Sequence, residues 1–152
     1  MPALRRFFAL KAADRALVLE AAVIAAFVRI SVRAVPFARL HGWLERWSCR
    51  WTTKPCAQPP ASISLARRVA AAVSAAVRHL PGRSTCLVEA LVVEAMLRRR
   101  GARPELRFGV RRPQGAERPF EAHAWVETNG RIVIGDLDGL DHYAVLTDAR
   151  SS

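Results

Sequence analysis

Residues 83–101 read R-S-T-C-L-V-E-A-L-V-V-E-A-M-L-R-R-R-G, and residues 120–136 read F-E-A-H-A-W-V-E-T-N-G-R-I-V-I-G-D. The first run follows the break Pro81-Gly82 and carries Ser84 and Thr85 where a helix N-cap belongs, so Cys86 falls in the first turn. Three arginines and Gly101 close the run, which sets a helix from Cys86 to Arg99. Leu87, Val88, Leu91, Val92, Ala95 and Met96 keep helical spacing as its buried stripe. A thiol at such a helix start meets unpaired backbone N–H groups and the positive end of the dipole. Both favour the thiolate, the form that attacks a carbonyl carbon.

The second run is a hairpin signal. Asn129-Gly130 between two strand-like segments calls for a two-residue type I′ turn. With that turn Thr128 faces Arg131, and an uninterrupted ladder sets His123 directly opposite Asp136. Their Cβ atoms would then stand about 4.5–5.5 Å apart. A carboxylate at that distance holds one ring nitrogen while the other takes a proton from a thiol. A one-residue slip would undo the pairing. Asp138 lies on the same alternate face, two residues out of register, and is the rival acid. Phe120, Ala122, Ala124 and Val126 share the apolar face of the first strand; Glu121, His123, Trp125 and Glu127 share the other. Taken singly, Cys86 reads equally as a small buried hydrophobe and His123 as an exposed strand residue. Taken together, Cys86, His123 and Asp136 read as nucleophile, base and orienting acid.

Outward from this centre, Leu65, Val69, Val73, Val77 and Leu80 mark one face of a helix capped by Ser62 or Ser64. Leu106, Phe108 and Val110 alternate as a strand, and Arg111 to Pro119 form a loop placed to rim a cleft. Thr52 to Ser62, with Pro55, Pro59 and Pro60, reads as a linker. Ahead of it, Ala12 to Val35 is one long helical pattern ended by Pro36. A second helix from Pro36 to Trp51 sets Trp43, Trp47 and Trp51 four apart, beside Leu40 and Leu44. Core packing is the ordinary use of such a stripe; a docking surface for a partner is the other, since Trp is favoured at interface anchors. Division of the chain follows: residues 1–54 a helical region, 55–62 a linker, 63–148 the catalytic part, and 149–152 a frayed tail. The fold class is α+β, a cysteine helix on a small antiparallel sheet with the N-terminal helices as an added layer.

The runs quoted above, with the strand L-R-F-G-V-R between them, resemble the transglutaminase-like leader peptidases of lasso-peptide biosynthesis. The likeness covers about half the chain, and A-H-A-W-V-E is its most specific part. It implies a transglutaminase-like, papain-like cysteine protease core in which Cys86 matches the nucleophile, His123 the base and Asp136 the orienting acid. It implies hydrolysis of the bond joining leader to core in a precursor peptide, before an ATP-dependent cyclase closes the macrolactam ring. Some members fuse a leader-recognition domain to the protease. At 152 residues this chain resembles instead the stand-alone protease of split systems, with a separate leader-recognition protein as partner. Trp125, Trp43, Trp47 and Trp51 are then candidate contacts for substrate or partner. The backbone N–H of Cys86 is a candidate oxyanion donor.

Composition bounds the alternatives. Half of the residues are apolar, enough for a core at single-domain length. Three cysteines give no even disulfide framework and point to the cytoplasm. His41, Cys49 and Cys56 lack metal-ligand spacing, so neither metal nor cofactor is expected. The net charge is +11, concentrated in residues 1–60, which hold 10 Lys or Arg against 3 Asp or Glu. No basic stripe interleaved with aromatics accompanies it, so no nucleic-acid partner is expected. The apolar run Ala21 to Val28 is far short of about 20 residues needed to cross a bilayer, leaving peripheral membrane association as the minority alternative. Two other functions stay open: an amine-accepting acyltransferase with the same triad, and a non-enzymatic basic binding module with a structural cysteine.

Overall fold

The structure, a computed structural model, describes residues 8, 11–50, 62–81, 85–112, 120–136 and 140–146. From Ala12 on, the described residues first form four helices: α1 (Ala12–Ala34), α2 (Phe37–Arg50), α3 (Ile63–His79) and α4 (Cys86–Arg98). Strands β1 (Glu105–Arg111), β2 (Glu121–Thr128) and β3 (Arg131–Ile134) follow, then a 3₁₀ turn (Leu140–His142) and β4 (Ala144–Leu146). The sheet is antiparallel in the order β3-β2-β1-β4. The linker expected at 52–62 lies outside the described residues except for Ser62, as do Trp51, Cys56, Asp138, loop residues 113–119 and the tail.

α4 is the central element. Its sequence is apolar on almost every side, so instead of the one stripe expected it buries nine of its residues from Val88 to Leu97. A helix apolar all round belongs inside a core. α1, α2 and α3 pack around it, and the sheet covers its remaining side through β1, β2 and β3. Leu17, Ala21, Ile24 and Val28 of α1 join Val69 and Val73 of α3, Leu91 and Met96 of α4, and Val126 and Ile134 of the sheet in one continuous core. The N-terminal helices therefore share a core with the rest of the chain.

Polar ties fix the helix ends. Glu20 on α1 bonds both Arg99 and Arg100 after the end of α4. Buried Arg29 donates from Nη1 to the Pro81 carbonyl at 2.8 Å, holding the segment that leads into Cys86. Ser62 caps α3 by accepting from Leu65 N at 3.3 Å. β4 brings Tyr143 beneath the outer face of the sheet: a Cβ on Gly109 would come within 2.9 Å of both Trp125 and Tyr143. Only glycine lets those two rings close over β1.

Candidate active site

Cys86 is the first residue of α4. Thr85 caps the helix, its Oγ1 accepting from Val88 N at 3.3 Å, and Cys86 is half-buried at the edge of the core. Cys86 therefore stands at the N-terminal end of a buried helix, the position the sequence pattern assigns it.

The hairpin turn is as expected: Asn129 and Gly130 both have positive φ, 52° and 68°, the type I′ pattern. Thr128 faces Arg131 and Glu127 faces Ile132, but Val126 faces Ile134. Val133 is an extra residue, a β-bulge, so the uninterrupted ladder expected from the sequence does not form. The cause is burial. A bulge lets two successive side chains turn to one side, and Ile134 enters the core with Val133 packed against it. Strict alternation would have sent one of them to the outer face.

The slip changes what His123 meets. It brings Gly135, whose φ is +81°, against Ala124 and Trp125, so close that a Cβ there would lie 2.7 Å from the Ala124 carbonyl oxygen. His123 Nε2 donates to the Gly135 carbonyl at 2.8 Å. A carbonyl only accepts, so Nε2 carries the proton and Nδ1 is the basic nitrogen of the neutral ring. The ring is stacked on Trp125 with centroids 6.2 Å apart and tilted against Tyr143 at 5.9 Å. No hydrogen bond or ion pair joins His123 to Asp136, nor His123 to Cys86, among the described residues. Asp136 is the residue after the Gly135 anchor. β2 meets the helix opened by Cys86 through Ala124 and Val126, while His123 lies on the strand's alternate face with Trp125 and Tyr143.

The tryptophans divide. Trp125 is 2 % exposed, with its Nε1 donating to Glu127 at 2.8 Å, and serves as the floor under the imidazole. Trp43 is 42 % exposed and stacks on half-buried Trp47, over which the Arg99 guanidinium also lies. Leu40 and Leu44, on the neighbouring stripe, are the residues that α2 commits to the core.

Sequence reasoning missed one cluster. His41, Glu45 and Glu94 bring their side-chain donors within 4.8 Å of one another. Arg98 Nη2 sits 3.0 Å from Glu45 and 2.8 Å from Glu94, so a guanidinium already fills the place a metal cation would take. His41 Nε2 lies 3.0 Å from Glu94, and this hydrogen bond raises the imidazole pKa above its ordinary value against the opposing effect of burial. His41 and Glu94 sit at apolar-looking positions 53 residues apart, and only the packing of α2 on α4 joins them.

The family model described as the transglutaminase-like superfamily matches residues 31–148. Neither the curated proteins nor the solved structures give a match. The matched span crosses from α1 to beyond β4 and contains Cys86, His123 and Asp136.

Proposed function

This chain belongs to the transglutaminase-like superfamily, whose members include cysteine proteases and acyltransferases, and we propose that it is the cysteine peptidase that removes the leader from a lasso-peptide precursor. One observation carries the reading: in a chain of this superfamily, a cysteine opens a capped helix that packs on the strand bearing a histidine with one nitrogen already anchored.

In this mechanism Nδ1 of His123 takes the Cys86 thiol proton, and the thiolate attacks the carbonyl carbon of the leader-core bond. The Cys86 backbone N–H stabilises the oxyanion. His123 returns the proton to the departing amine, which frees the core peptide and leaves the leader as a thioester on Cys86. Water, deprotonated by His123, then releases the leader acid and the thiol. The Gly135 carbonyl keeps Nε2 protonated and the ring aimed, and Asp136 supplies negative charge that stabilises the imidazolium. The mechanism requires that the His123 ring, held with Trp125 and Tyr143 on the sheet face away from α4, be brought to the thiol when substrate binds. A separate leader-recognition protein presents the precursor, and an ATP-dependent cyclase consumes the product.

The test is to incubate the protein with its precursor peptide and recognition protein and to follow leader release by mass. Wild type is expected to release the leader, Cys86→Ala and His123→Ala to lose release, and Asp136→Asn to weaken it. Transfer of the leader to an added amine at the expense of hydrolysis would make the protein an acyltransferase. Undiminished release by Cys86→Ala would sink the mechanism.

A further inference from the structure

The outer face of α1 and α2 presents a surface that the catalytic reading leaves unused. Leu19, Val23, Phe27 and Ile30 follow one another at helical spacing along α1 and are all exposed, Val23 and Ile30 by 70 % or more. Where α1 meets α2 this strip deepens into an open groove of about 640 Å³, walled by Phe27, Val35, Leu40 and Trp43. Phe27 and Trp43 meet along it with tilted rings, centroids 5.0 Å apart.

Glu20 borders the strip but is paired with Arg99 and Arg100, and the other charges beside it are basic. Arg15 and Arg33 lie five turns apart on one border of α1 (18 residues, one helical face), while Arg39 and Arg46 of α2 line the groove on the other. None of the four has a carboxylate partner among the described residues. The acids of these two helices have been drawn elsewhere: Asp14 bonds Arg68, Glu20 bonds Arg99 and Arg100, and Glu45 bonds Arg98. The result is an apolar channel between two rows of guanidinium groups that have no carboxylate partner among the described residues.

Complementarity narrows the occupant. Residues 1–10 carry Arg5 and Arg6, residues 51–61 carry Lys54, and neither segment has a carboxylate, so neither can neutralise the arginine rows. A second copy would oppose arginines to arginines. A planar lipid surface would satisfy the charges but not fill a groove. We infer that this face docks an acidic amphipathic helix of a partner protein, its apolar ridge seated on Phe27 and Trp43 and its carboxylates meeting Arg33, Arg39 and Arg46. Docking of this kind is independent of the peptidase chemistry and uses none of its residues.

Two labelled synthetic helices of equal length serve as probes, one with leucines at i, i+3, i+4 and i+7 flanked by glutamates, the other with lysines replacing the glutamates. Binding to the full-length protein is read by fluorescence anisotropy, with phosphatidylglycerol vesicles and sedimentation velocity run alongside. The acidic helix is expected to bind and the lysine helix not. Arg39→Glu with Arg46→Glu should weaken binding about tenfold or more, as should Val23→Ser with Ile30→Ser, exposed changes whose fold is checked by circular dichroism. Raised salt should weaken binding further. Failure of the acidic helix to bind, equal binding of the two probes, or indifference to these substitutions would overturn the inference. So would capture by the vesicles that those substitutions abolish, or self-association through this face, either of which would assign it another occupant.

Discussion

Replacing Glu94 by glutamine tests whether charge ties the cysteine helix to α2. Glu94 is 3 % exposed and accepts from His41 at 3.0 Å and from Arg98 at 2.8 Å. A hydrogen bond to a charged group contributes about 1.5–3 kcal/mol. In the variant His41 can shed its proton and Arg98 keeps Glu45, so no buried charge is stranded and the loss falls short of the full sum. Roughly 2–4 kcal/mol follows, against a total stability of about 5–15 kcal/mol for a domain.

The pH dependence gives the prediction its signature. Glu94 raises the pKa of His41 above 6.5, so the folded state binds a proton that the unfolded state releases near that pH. The stabilisation is complete below the unfolded value and is lost as pH rises through the folded one. Urea denaturation of wild type should therefore show stability falling with pH above about 6.5, by at most about 1.4 kcal/mol per unit. Glu94→Gln should be less stable and lose that slope. Equal slopes in the two proteins, or a loss below about 1 kcal/mol, would refute the charged pairing.

Other substitutions probe the framework around the site. Gly109→Ala forces a methyl group against Trp125 and Tyr143 at 2.9 Å and should cost about 1–3 kcal/mol in a denaturant titration. Gly135→Ala meets the Ala124 carbonyl at 2.7 Å with φ at +81°, so about 2–5 kcal/mol and a clear drop in Tm are expected. Thr85→Ala removes the cap from the cysteine helix and should cost about 1 kcal/mol, with Thr85→Ser restoring most of it.

What the sequence made legible follows from the range of the forces involved. Helix ends were readable because caps, prolines and glycines act over a few residues: Thr85, Ser62 and Pro36 mark boundaries that the structure keeps. The hairpin was readable because Asn129-Gly130 meets a backbone requirement of its own turn. The register beyond it was not, since the bulge at Val133 is decided by α4 and α3 on the far side of the sheet. Likewise, the Leu and Val positions of α1 gave no sign of which would be buried. Leu17, Ile24 and Val28 meet other helices, whereas Leu19, Val23 and Ile30 do not. The His41–Glu94 pair depends on a helix crossing that periodicity does not encode.

The bulge also makes the role of Asp136 measurable. In an uninterrupted ladder the carboxylate alone would fix the imidazole tautomer, and loss of a carboxylate with that duty lowers kcat about 10⁴-fold through the wrong tautomer. Here a backbone carbonyl does the fixing at 2.8 Å, and no side-chain substitution at 136 removes it. Asp136→Asn should then lose only the charge of the carboxylate, about 10- to 100-fold in kcat. The tautomer itself, read from the ring nitrogen shifts of His123, should be the same in wild type and variant. A loss near 10⁴-fold together with a changed tautomer would show that the carboxylate, not the Gly135 carbonyl, holds the ring during catalysis.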